Sequence, residues 1–239
     1  MNGLQRSILT AAAALTLAAQ TQAAPVNFSL AEYAINIDGT VSDYPAGSAP
    51  AALPGVSLGA FDAATGLGAI SITLRGAGSH HVGLFVDHEI DETVNTFFNE
   101  YGGTTGSLSA GQSWEIDEPG FRLPNPGDIF ANFSASLLDG VNGVPLSAPD
   151  DISTAMAWDF LLNAGETATI DFFLSETAPG SGFYLTQTDL DSQFSVYLSG
   201  RLAIQQDNQL PEPTSWALAG TALLGLTAAR RKPAAQRQR

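Results

Sequence analysis

Residues 156–174 read MAWDFLLNAGETATIDFFL, and this stretch decides the fold class. Met156, Trp158, Phe160 and Leu162 recur at every second position, and so do Ala168, Ile170, Phe172 and Leu174. Successive side chains of an extended chain point to opposite faces, so each run reads as a strand with one buried face. Asn163-Ala164-Gly165-Glu166 lies between them as a turn signal. A short turn between two alternating runs predicts a β-hairpin.

The same period appears on both sides of this stretch. Ile70, Ile72 and Leu74 alternate with small or polar residues, and Val82, Leu84 and Val86 alternate with His81, Gly83 and Phe85. Phe194, Val196, Leu198, Leu202 and Ile204 stay in phase across Gly200. With 24 Gly, 13 Pro and only 14% charged residues, the chain is rich in turns. Many short strands between Gly and Pro turns predict an all-β fold, a jelly-roll-like β-sandwich. No repeat typical of a solenoid or propeller is visible. One segment breaks the period: Val94, Phe97, Phe98 and Tyr101 fall at helical spacing, with Asp91 as N-cap and Gly102 as terminator. A short helix inserted between strands is the expectation there.

The two ends read as addresses. Arg6, the apolar run at 8–19 and the small residues Thr21 and Ala23 form a secretory signal helix, residues 1–23, with signal peptidase cutting after Ala23. Near the other end, Pro211-Glu212-Pro213 precedes an apolar helix at 214–229, then Arg230, Arg231 and Lys232. Such a helix rises about 24 Å, marginal against a hydrocarbon core of ~30 Å. The charges behind it hold the C-terminus on the cytoplasmic side of this transmembrane helix.

The order Pro-Glu-Pro, apolar helix, basic tail over residues 209–239 resembles the PEP-CTERM sorting signal of diderm bacteria. That resemblance implies handling by exosortase, an inner-membrane transpeptidase that cuts near the Pro-Glu-Pro. The body then passes to the cell surface or exopolysaccharide matrix. By the match, Pro211, Glu212 and Pro213 are the recognition element and Arg230, Arg231 and Lys232 the retention charge. Asp87–Asn95, Trp114–Gly120 and Trp158-Asp159-Phe160 with Ala164–Ala168 are similar, more loosely, to bodies of secreted PEP-CTERM proteins. This second likeness implies a single domain and carries no assigned activity.

Between the two ends, residues 24–208 form the expected acidic domain. All 24 acidic residues except Glu212 lie there, against Arg75, Arg122 and Arg201 as the only bases. Such a charge repels nucleic acid and attracts divalent cations. The absence of Cys excludes disulfides and thiolate chemistry, and the absence of Lys from the body excludes a Schiff base there. No G-x-S-x-G or H-E-x-x-H occurs. All three His lie at 80–88, beside Asp87, Glu89 and Asp91. If the chain stays extended, these carboxylates share a face with His81, an arrangement suited to Ca²⁺ and less to Zn²⁺. The reading is a secreted, non-enzymatic surface or matrix protein. A second reading is a carbohydrate-binding module that stacks sugars on Trp114, Tyr184 and Tyr197. A third is a glycosidase using two of Asp87, Glu89, Glu115 and Asp117.

Overall fold

The computed structural model describes residues 26–48, 52–92, 97–120 and 127–206. The signal segment, with Ala23, and the sorting segment, with its predicted transmembrane helix, lie outside the described residues. Eleven strands and one α-helix follow in order: β1 (Phe28–Ile37), β2 (Thr40–Pro45), β3 (Val56–Ser57), β4 (Gly68–Arg75), β5 (Gly78–Ile90), β6 (Glu100–Thr105), β7 (Gln112–Asp117), α1 (Ile129–Ser134), β8 (Ser153–Leu162), β9 (Glu166–Ser175), β10 (Tyr184–Asp189) and β11 (Ser195–Gln206). They build a five-stranded sheet, β2-β1-β5-β8-β7, and a six-stranded sheet, β3-β4-β9-β11-β10-β6. Every strand pairing within the two sheets is antiparallel. The expected all-β sandwich is present.

The period-two faces meet in the interior. Val82, Leu84 and Val86 of β5 and Met156 and Trp158 of β8 face Ile70 and Ile72 of β4 and Ile170 and Phe172 of β9, all fully buried in one cluster. Burying apolar surface of this kind is the main favourable term in folding. A smaller cluster forms on the outer side of the five-stranded sheet, where α1 lays Ile129 and Phe133 over Ala34, Phe85 and Ala155. Phe85, on the alternate face of β5, therefore has its own cover.

The predicted hairpin at 163–166 is corrected. β8 belongs to the five-stranded sheet and β9 to the six-stranded one, so the turn is an arch between sheets. Glu166 N donates to Asn163 O at 3.1 Å. The Glu166 carboxylate accepts from Asn163 N at 2.7 Å and from Nδ2 at 3.0 Å. An arch turns the apolar faces of its two arms toward each other, and Trp158 meets Phe172 with ring centroids 5.5 Å apart. Alternation assigns faces but not partners, and so does not separate an arch from a hairpin.

The predicted helix at 91–102 is also corrected. Asp91 adopts φ +60° after β5, only Phe97–Asn99 forms a 3₁₀ turn, and Tyr101 and Gly102 belong to β6; residues 93–96 lie outside the described residues. Glu100 explains the change, because it is wholly buried and accepts from Ile90 N at 3.1 Å and Gln187 Nε2 at 2.5 Å. Those bonds tie 100–105 to the sheets. The α-helix among the described residues is α1 instead.

A strap at 139–150 closes one side of the sandwich. Gly140 N and Gly143 N donate to Trp114 O and Ile116 O of β7, both at 2.8 Å. Val144 O accepts from Gly102 N of β6 at 2.8 Å, and Glu100 and Asp150 exchange backbone bonds. Two sheet edges that would otherwise be open templates are paired this way.

Candidate functional site

Directly paired residues of antiparallel strands share a face. The registers therefore line up Glu32 (β1), Asp87 (β5), Ser153 (β8) and Asp117 (β7) in one row across the outer face of the five-stranded sheet. Asp87 is only 4% exposed, and Ser153 Oγ donates to its Oδ1 at 2.9 Å. Glu89 stands two residues further along β5 on the same face.

Two groups of carboxylates gather around this row. Asp87, Glu89 and Asp151 each offer an oxygen, and these lie within 4.8 Å of one another. Glu89 Oε2 and Asp151 Oδ1 are buried without a hydrogen-bond partner in the protein. Glu115, Asp117 and Asp128 form the second group, again within 4.8 Å. Its oxygens are better served: Glu115 accepts from Asn132 Nδ2 and Asp139 N, and Asp117 Oδ2 accepts from Asp128 N.

Crowding and burial hold these acids toward their neutral forms. Burial raises Asp87 well above the ordinary carboxylate value, and the charges of Asp151 and Glu89 add to the effect. Glu89 is pushed up to about 8 by burial and then by Asp151. Asp151 rises to about 6 by burial and then by Asp150. Glu32 rises to about 8 by burial and its hydrogen bond with Asp43, and Glu115 to about 7 by burial. Such a face favours bound protons, and its clustered oxygens could hold a cation in their place.

The site departs from the sequence expectation in two ways. Asp91 is not in the first group, because β5 ends at Ile90 and Asp91 turns away at φ +60°. Asp151 takes its place from the segment just before β8, a juxtaposition with no local sequence signal. His81 does share the face of Asp87, but its Nδ1 lies 2.9 Å from Asp159 Oδ1. Six residues of strand span ~20 Å, which separates His81 from the carboxylates. His80 pairs with Asp38 at 2.9 Å, and His88 points inward, 1% exposed, with burial lowering it to about 4. Both groups are thus all-oxygen donor sets, which suit a hard cation such as Ca²⁺ better than Zn²⁺.

The three aromatic residues read as a sugar platform do not gather. Trp114 pairs with Met156, packs against the core and lies 5.9 Å from the Phe183 ring. Tyr184 and Tyr197 sit together on the outer face of the other sheet, with centroids 5.8 Å apart and rings at 75°.

Among the described residues, no helix is long and apolar enough to cross a membrane. The C-terminal segment is decided by comparison. Residues 209–232 match the PEP-CTERM protein-sorting motif. The matched PEP-CTERM span includes Pro211, Glu212 and Pro213 and reaches through Arg230, Arg231 and Lys232. A PEP-CTERM motif implies a secreted protein that is exported, passes through a membrane-anchored stage and is processed by exosortase. No curated protein and no solved structure matches the chain.

Proposed function

We propose that the protein is a non-enzymatic component of the cell surface or exopolysaccharide matrix. Its body, residues 24–208, is released by signal peptidase at Ala23 and by exosortase near Pro211-Glu212-Pro213. The observation that carries this reading is the PEP-CTERM motif at 209–232, joined to an acidic β-sandwich. Calcium stiffens that sandwich at Asp87, Glu89 and Asp151, where two buried oxygens lack partners. A Ca²⁺ ion takes six to eight oxygen ligands, so backbone carbonyls and water complete the shell.

Mass spectrometry of the mature protein from its native host tests the sorting step. The expected product begins at Ala24 and ends near Pro211–Pro213; an uncut chain retaining Arg230–Lys232 overturns the reading. The second reading, carbohydrate binding, is favoured by the outward Tyr184–Tyr197 pair.

A further inference from the structure

The two outer faces of the sandwich carry opposite chemistry. On the five-stranded sheet, strand positions facing outward include Glu32, Asp87, Glu89, Glu115, Asp117 and Asp159. On the six-stranded sheet the outward carboxylate at a strand position is Asp171, and the register places Arg75 and Arg201 on the same face. Arg75 and Arg201 are the arginines among the described residues. The neighbouring outward positions carry mostly hydroxyls, Thr186 and Ser199 among them. The α-helix among the described residues packs on the other sheet.

The few larger side chains of this neutral face are organised around Arg201. Its Nε donates to Asp171 Oδ2 at 2.9 Å, and Ser71 Oγ donates to the other oxygen at 2.6 Å. The guanidinium lies 5.5 Å over the Phe173 ring, yet the Arg201 side chain remains 70% exposed. Phe173 is 37% exposed. One cross-strand row runs Tyr184–Ser199–Phe173, and the next carries Thr186–Tyr197–Ser175. Tyr184 and Phe173 are two strand spacings apart, ~10 Å, a length of the order of a disaccharide.

We propose that this outward face of the six-stranded sheet docks an uncharged, hydroxyl-rich polysaccharide. Tyr184, Tyr197 and Phe173 offer aromatic surface to sugar C–H groups, and Arg201 directs its remaining N–H donors to hydroxyls. Charge selects the occupant. An anionic polymer meets the field of a strongly acidic body, whereas a neutral one is not repelled. A second copy of this chain carries the same charge and is repelled as well. A protein partner finds too few large apolar anchors on a face built of Ser and Thr. The proposal rests on the secreted-matrix reading and names the partner within it.

The test is native affinity electrophoresis of the full chain in detergent micelles, with hydroxyethylcellulose, dextran, galactomannan or alginate cast in the gel. At least one neutral polymer retards the protein, and Y184S/Y197S lowers the apparent affinity at least tenfold. R201K also weakens it, because lysine cannot reproduce a stacked, forked donor. Circular dichroism melts confirm that the variants fold; F173S provides a second route if the double variant does not. Retardation by none of the three neutral polymers overturns the proposal. Retardation by alginate alone, requiring Ca²⁺ and lost in E89Q, assigns binding to the acidic face and overturns it too. Self-association without polymer in sedimentation experiments does the same. Each of these results leaves the sorting reading standing, since that is judged separately from the mature C-terminus.

Discussion

Trp158 of β8 and Gly200 of β11 meet face to face across the core: a Cβ added to Gly200 would stand 2.6 Å from Trp158 Cη2 and 2.9 Å from Asp171 O. Gly200 occupies an inward position between Leu198 and Leu202, so the gap in the apolar pattern is the space the indole fills. Gly200→Ala is expected to lower stability by ~1–3 kcal/mol, the usual range for overpacking a well-filled core. Urea unfolding with Trp fluorescence measures it; an unchanged midpoint would show that the sheets separate freely there.

The helix α1 anchors the second cluster through Phe133, which is fully buried, packs 5.9 Å from the Phe85 ring and offers its carbonyl to Asn36 Nδ2 at 2.8 Å. Phe133→Ala should cost about 3–5 kcal/mol, the range seen when a buried aromatic side chain is removed. The same denaturation experiment reads the change. A loss below about 1 kcal/mol would mean that α1 is not a structural cover.

Several buried groups set the pH dependence, and Glu100 and His88 show its two directions. Glu100 rises from an ordinary 4.5 to about 9, chiefly through burial, while His88 falls from 6.5 to about 4 for the same reason. A raised carboxylate supports the fold fully below its unfolded value and loses that support as pH climbs from 4.5 toward 9. A depressed histidine supports it above 6.5 and loses that support as pH falls toward 4. Asp87, Glu89, Glu32 and Glu115 are raised in the same way as Glu100 and together outweigh the single histidine, so thermal stability in chelator should fall as pH climbs above about 4.5. Glu100→Gln removes part of the alkaline decline, leaving the variant more stable than the parent at pH 8 by on the order of 1–3 kcal/mol. A variant that declines in parallel with the parent contradicts the assignment.

Calcium should act on the same alkaline limb. With Asp87 and Glu89 both raised by burial and then by the charge of Asp151, a bound ion compensates the negative charge that protons otherwise neutralise. Millimolar Ca²⁺ is expected to raise the melting temperature relative to EDTA, more at pH 8 than at pH 5. A ligand at one hundred times its Kd contributes about 2.7 kcal/mol. Asp151→Asn should reduce the difference, whereas Asp91→Asn should leave it intact. Identical melts with and without Ca²⁺ would dispose of the site.

Much of this was legible in the chain. The apolar faces at 70–74, 82–86, 156–162 and 168–174 emerged where alternation placed them, because side-chain direction in an extended chain is a local property. Phe97 and Tyr101 misled for the opposite reason. Their helical spacing was overruled when Glu100, between them, found buried donors from β5 and β10. The site was half legible: Asp87 and Glu89 could be placed on one face of a strand, but Asp151 reaches them from a separate segment. Likewise Trp114 and Tyr184 share a composition class, yet they ended on different sheets.

The sequence by itself determined the export route, through a linear sorting motif read as a string, and the division of each strand into an inner and an outer side. Tertiary structure alone decided which sheet each strand joined, turning the 163–166 hairpin into an arch. It also decided which acids meet and which face stays neutral. Facing depends on neighbours along the chain, whereas partnership depends on contacts between residues dozens of positions apart, which no local pattern records.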